Sequence, residues 1–317
     1  GVQTCALPIS CANTSCTVQE FICHGLLVEV LHENPELLIF NMSFQILNSI
    51  AATFGNVLAL LAIWRTPSLH SPSNTLLFGL AVSNLGVACL AQPLHVVFQV
   101  SMYRDDRDVK SCAMNITGFF LNVFFSMVTL LTMTLISIDR YLAISLHLRY
   151  REIVTITKIR ILLCFLWAVG CAAATVSFST FEIFQWTVVA LELFCLSVVF
   201  YTWIRIHKIV RRHRAQIQQQ QIQIENQPFN MLKFRKSTLS CKLLIFVYWF
   251  CYLPQFICLI FLKFNREKNS FLALFISCTA VVLNSSLNPL IYFLRQEDMR
   301  TSVKQILRSI TRCREQH

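Results

Sequence analysis

Seven long apolar stretches dominate this chain of 317 residues, near residues 44–64, 75–99, 114–138, 160–180, 185–205, 240–262 and 270–294. A helix needs about 20 mostly apolar residues to cross the hydrocarbon of a bilayer. Each stretch is apolar nearly all round, which a half-exposed soluble helix is not. In lipid the backbone must satisfy its own hydrogen bonds, so the stretches are expected to be helices. Only 14% of the residues are charged, against about a quarter in soluble domains. The expected fold is an all-α membrane protein, a seven-transmembrane helix bundle.

The net charge of +11 raises the question of nucleic acid. The positions of the charges answer it: 21 of the 27 Lys and Arg residues lie on the side of the connections after spans one, three, five and seven, counting Arg160, Arg205 and Lys242 at the span ends that face those connections. Cytosolic connections carry such an excess. The amino terminus is therefore expected outside, the carboxyl terminus inside, and no nucleic-acid partner. The fourteen cysteines are scattered, without CxxC pairs. Neither a metal site nor any other cofactor is expected.

The first nine residues, GVQTCALPI, coincide with a translation of a common sequencing-library adapter. Residues 1–9 are therefore expected to be an assembly artefact. Residues 10–43 form an extracellular tail or a translated leader, 44–294 the membrane domain, and 295–317 a cytosolic helix and tail. In that last segment Met299, Val303, Ile306, Leu307 and Ile310 share one helical face, with Arg300, Lys304 and Arg308 elsewhere. This is the pattern of a short amphipathic helix lying on an anionic leaflet. Cys313 extends the apolar face and is a candidate for palmitoylation, with a free thiol as the alternative. The connection 206–239 is basic and includes glutamines at 218–221, which either prolong the fifth helix or form a polar linker. Asn41-Met42-Ser43 matches the glycosylation pattern on the outer side.

Motifs fall one per span. Span one holds Gly55-Asn56-Val57, span two Leu80-Ala81-Val82-Ser83-Asn84-Leu85, and span three ends in Asp139-Arg140-Tyr141. Trp167 lies in span four. Span six holds Phe250-Cys251-Tyr252-Leu253-Pro254, and span seven Asn288-Pro289-Leu290-Ile291-Tyr292. In this order the motifs resemble the rhodopsin-like (class A) G-protein-coupled receptors over roughly residues 44–310. The resemblance implies an extracellular ligand, which is a small molecule, lipid or peptide, and a heterotrimeric G protein as cytosolic partner at the plasma membrane. It implies that Asp139 holds Arg140 at rest. On activation Arg140 turns toward Tyr201 and Tyr292, and Cys251, Tyr252 and Pro254 form a switch in span six. It also implies a polar centre of Asn56, Asn84, Thr129, Asn284 and Asn288. Pro289 lacks a backbone donor, so span seven must kink or be re-satisfied, and Asn288 is a plausible polar partner.

The chain departs from the family at several points. Tyr252 stands where Trp is usual, Leu193 where span five usually has proline, and Asn84 where an aspartate usually binds sodium. The connection between spans four and five is very short and lacks a cysteine, so no disulfide is expected from Cys112 to it. Cys16 or Cys23 is an alternative partner. These departures loosely resemble the melanocortin, cannabinoid and lysophospholipid receptors, although Leu94, Asn115 and Phe119 replace the melanocortin acidic cluster. Asn122 replaces the aspartate of amine receptors, and Val282 the retinal-binding lysine. The expected pocket includes Phe119, Asn122, Ser126, Tyr252, Gln255, Phe256 and Cys278. Its apolar walls favour a neutral small molecule or lipid over an amine or retinal. Glu192 is an ionisable group within span five without an evident partner. No catalytic set stands out, so the chain is not expected to be an enzyme. The alternatives are a signalling-silent receptor-like protein and a transporter, which would want paired intramembrane charges.

Overall fold

The computed structural model describes residues 31, 33–104, 109–146, 149–221, 231–265, 267–295 and 297–315. Residues 1–9 and the amino-terminal part of the 10–43 tail lie outside the described residues. Seven helices are long and apolar enough to cross a membrane: Pro35–Arg65, Pro72–Tyr103, Cys112–Leu146, Ile156–Thr175, Phe181–Arg212, Ile245–Phe264 and Lys268–Phe293. They match the seven expected runs in order, and make the chain a multi-pass membrane protein.

The boundaries differ where local chemistry extends a helix. Span one starts at Pro35, well before residue 44, because a proline suits the first helical turn and the apolar run continues through Phe40. Span two starts at Pro72, where the Ser71 hydroxyl caps the helix by accepting from Asn74 N–H at 3.2 Å. The helix of span five runs on to Gln221, so the glutamines prolong it. Span four stops at Thr175, and a single 3₁₀ turn, Val176–Phe178, leads almost directly into span five. A separate helix, Glu297–Glu315, follows span seven. It buries Met299, Val303 and Ile306, and its Ser302 accepts a hydrogen bond from Thr66 at the end of span one.

The bundle is polar within and apolar without. Asn56, Asn84, Glu192, Asn284 and Asn288 are 0–1% exposed, whereas Phe54, Phe246 and Phe250 are more than half exposed. Water would favour the reverse arrangement, and hydrocarbon as solvent favours this one.

Of the prolines inside the spans, Pro93, Pro254 and Pro289, span one compensates the first and the last. Pro289 cannot donate to Ser285 C=O four residues earlier. The Asn56 amide donates to that carbonyl instead, at 3.0 Å. Asn288 has no such role: its amide is buried without a hydrogen-bond partner. Contact here is close, since a Cβ on Gly55 would meet the Pro289 ring at 2.9 Å. In span two, Val87–Ala91 is a π turn just before Pro93. In that register Pro93 would have donated to Ala88 C=O, and the Ser49 hydroxyl donates to it at 2.7 Å. The extra residue rotates everything beyond it by about 100°, and the side chains of Gln92 and His95 line the bundle's central cavity.

Candidate functional site

Two sites lie at opposite ends of the bundle. At the basic end, span three ends in Asp139 and Arg140. Asp139 is 2% exposed, and its Oδ2 lies 3.1 Å from the Arg140 guanidinium. Burying a carboxylate is costly unless its oxygens are hydrogen-bonded. Two further donors meet it here: the Ser73 hydroxyl from span two at 2.7 Å and the Tyr150 hydroxyl at 2.5 Å. Ser73 and Tyr150 also touch one another at 3.2 Å. Tyr150 begins the one-turn helix Tyr150–Ile153 between spans three and four. Partial burial, then the hydrogen bond to Asp139, push its hydroxyl up to about 12, so it keeps its proton and donates throughout the physiological range. Sequence reasoning missed both Ser73 and Tyr150. Tyr150 was visible only as a lone tyrosine in a basic connection, and no spacing rule reaches across that turn.

Arg140 also lines a cleft of about 10 Å³ with Ile206 of span five and Ile245 and Tyr248 of span six. Tyr201, expected to turn toward Arg140, lies elsewhere. It is 56% exposed on the outer face of span five, with the Arg205 guanidinium 6.0 Å from its ring centroid. The interior positions of that turn are taken by Val199 and Thr202. The aromatic hydroxyl at the cleft is Tyr248 instead, 1% exposed and 3.4 Å from the Thr134 hydroxyl. Tyr141 sits beside Arg205. Tyr292 is buried, and its hydroxyl has no hydrogen-bond partner.

The expected polar centre is two separate pairings. Asn56 reaches span seven as described. Asn84 accepts from the Thr129 hydroxyl at 3.3 Å, and Thr129 also contacts Ser83 at 2.9 Å. Asn284 is buried beside Tyr252.

Toward the opposite end is a cavity of about 170 Å³ bounded by spans one, two, three, five, six and seven. Phe119, Asn122, Ser126, Tyr252, Gln255 and Cys278 line it as expected, whereas Phe256 does not and packs into the core beside it. Gln92, His95 and Glu192 also line it. The span-two pair was not legible, because the π turn sets which face Gln92 and His95 present. Val282 lines the wall where a retinal-binding lysine would stand. Cys251 and Tyr252 are buried, with the Tyr252 ring 5.1 Å from that of Tyr248 one turn below. Pro254 lies within the span-six helix.

Two modification expectations fare differently. Asn41, the expected glycan acceptor, is enclosed by the fold. It is 3% exposed within the helix of span one, donates to Thr279 at 2.6 Å, and accepts from Gln45 and Gln99 at 2.6 and 2.9 Å. The Cys313 side chain lies outside the described residues. Cys112 is disulfide-bonded, and the connection between spans four and five contains no cysteine.

The profile described as 7 transmembrane receptor (rhodopsin family) matches residues 55–183. Rattus norvegicus melanocortin receptor 5 is 24% identical over 269 residues, covering 80% of this chain and 79% of that protein. Danio rerio melanocortin receptor 4 is 26% identical over 263 residues, covering 79% and 78%. Cavia porcellus histamine H2 receptor is 25% identical over 286 residues, covering 80% and 75%. Profile, relatives and fold point the same way: the chain is similar to the rhodopsin-like (class A) seven-transmembrane receptors, which are signalling proteins and not enzymes.

Proposed function

We propose that this receptor sits in the plasma membrane with its amino terminus outside, binds an extracellular small ligand in the central cavity, and signals through heterotrimeric G proteins at its basic end. One observation carries the reading: a buried carboxylate, Asp139, engages Arg140 while two further donors from span two and the three–four connection hold it in place. A residue meant only to mark the membrane boundary needs no such enclosure, because an arginine at a helix end reaches the interface by itself. An arginine restrained by one partner is a two-state element. Release of the pair frees Arg140 to turn toward Tyr248 and Tyr292, and a swing of span six about Pro254 widens the cleft for a helix of the G protein. Ligand contact with Tyr252, one turn above Tyr248, biases that swing. The melanocortin and histamine H2 receptors among the relatives support a receptor for an extracellular ligand.

The test expresses the full chain and records cAMP and calcium, basal and evoked by a library of small molecules, lipids and peptides, beside Arg140→Ala. A signal that Arg140→Ala abolishes at equal surface expression supports the proposal. Normal surface expression without basal or evoked signal in any G-protein assay overturns it in favour of a signalling-silent receptor, a reading that Asn84 and Tyr252 favour by departing from the family.

A further inference from the structure

We infer that the central cavity takes a small organic cation, an ammonium, amidinium or imidazolium compound, whose N–H groups meet the Glu192 carboxyl. This rests on the receptor reading of the cavity and specifies its ligand.

Glu192 is 0% exposed, lines the cavity, and neither of its carboxyl oxygens has a hydrogen-bond partner. Buried carboxyl groups in folded proteins are ordinarily paired or hydrogen-bonded, because leaving them bare in a low dielectric is costly. Within a membrane span such a group marks a functional site. Among the described residues no lysine or arginine lines the cavity; its one basic side chain is His95, and no hydrogen bond joins that imidazole to Glu192. None of the chain's own donors in the cavity engages it in this structure, and a ligand cation supplies both charge and donors.

The rest of the cavity suits the same chemistry. Gln92 is 2% exposed with both amide atoms unpartnered, and it too lines the cavity. It offers the ligand a second polar anchor from span two. Phe119 and Phe184, 5.4 Å apart between ring centroids, and Tyr252 present aromatic faces that attract a cation. A wholly apolar lipid would leave Glu192 and Gln92 as bare as they are without it. The expectation of a neutral ligand rested on the apolar cavity walls and on Asn122 in place of an aspartate in span three; the carboxyl group is supplied by span five instead.

The experiment reads binding rather than signalling, so it is independent of G-protein coupling. Purified full-length receptor is heated with cationic fragments, each paired with a neutral isostere: phenethylamine with phenethyl alcohol, benzamidine with benzamide, and imidazolium compounds with their neutral carbon analogues. Cationic members are expected to raise the Tm more than their partners. Glu192→Gln, which keeps shape and removes charge, is expected to weaken cation binding roughly tenfold to hundredfold and leave the neutral fragments unchanged. Glu192→Asp is expected to keep the preference at reduced affinity. The wild-type comparison stands even where a variant does not fold. Equal stabilisation by neutral isosteres, no stabilisation by any cation, or undiminished cation binding to Glu192→Gln overturns the inference. Cation binding without any G-protein signal would leave it standing and refute the signalling proposal alone.

Discussion

Tyr150 lies eleven residues beyond Asp139 in sequence, yet its hydroxyl is the closest donor to that carboxylate. Hydrogen bonds to charged groups contribute about 1.5–3 kcal/mol, so removing this one shifts a two-state lock appreciably. Tyr150→Phe is expected to raise basal signalling several-fold, and Ser73→Ala to do the same to a lesser degree. Basal cAMP and calcium at matched surface expression measure it; a basal output unchanged in both variants would show that Asp139 is held adequately by Arg140 alone. Asn84 carries a second expectation. Its oxygen already accepts from Thr129, and an amide brings no charge to a cation. The Tm of the receptor should therefore be the same in sodium and choline chloride, and a marked sodium-specific rise would count against it. At this scale the sequence was readable where residues are adjacent, as in Asp139-Arg140. It was not readable where a turn delivers a partner from outside the helix, as with Tyr150. Asn41 shows the converse: its tripeptide is a valid glycosylation pattern, and the fold buries its amide against Thr279, Gln45 and Gln99, which no tripeptide pattern encodes.

Among the helices, span one acts as a splint for two others. Ser49 serves the carbonyl freed near Pro93, and Asn56 the one freed by Pro289. Removing a donor from a buried carbonyl costs about 1–3 kcal/mol, although polar pairs within membranes average nearer 0.6 kcal/mol. Asn56→Ala is expected to lower the Tm more than Ser49→Ala, because Asn56 is fully buried while Ser49 is half-buried. Thermal unfolding in detergent distinguishes them, and equal, negligible shifts would mean that the kinks are held by packing. Spans two, three and four meet just as closely: a Cβ on Gly86 would come within 2.3 Å of the Phe125 ring, which itself packs edge-on to Trp167. Gly86→Ala should thus destabilise by about 1–3 kcal/mol through overpacking. Pro289 was read from the sequence as a break in the ladder, whereas Pro93 was not. The identity of the groups that compensate them was not legible, since it depends on which helix lies alongside, and helix neighbours are not encoded in hydropathy.

Across the whole molecule, the cavity and the basic end are joined through span six. Tyr252 lines the cavity, its ring packs at a tilt against Tyr248 with 5.1 Å between centroids, and Tyr248 borders the cleft that holds Arg140. The two tyrosines lie four residues apart, one helical turn, so a shift of the upper ring moves the lower one directly. Tyr248 is also tethered to span three through Thr134, which gives the pair a fixed side to move against. Seven apolar runs were enough to read the bundle, and the motif order was enough to find both ends. The tyrosine pair was hidden because Tyr201 occupied the position that family spacing favours, and only the rotation of span five about its axis turns Tyr201 outward. Tyr248→Ala is therefore expected to separate the two functions. Fragments that stabilise the wild-type receptor should still raise the Tm of the variant, since the cavity wall is unchanged, while ligand-evoked cAMP or calcium responses fall at least tenfold, a loss of about 1.4 kcal/mol of coupling. Loss of both binding and signal would make Tyr248 a packing residue. Retention of both would mean that the cavity reaches Arg140 by another route, with span seven and Tyr292 as the next place to look.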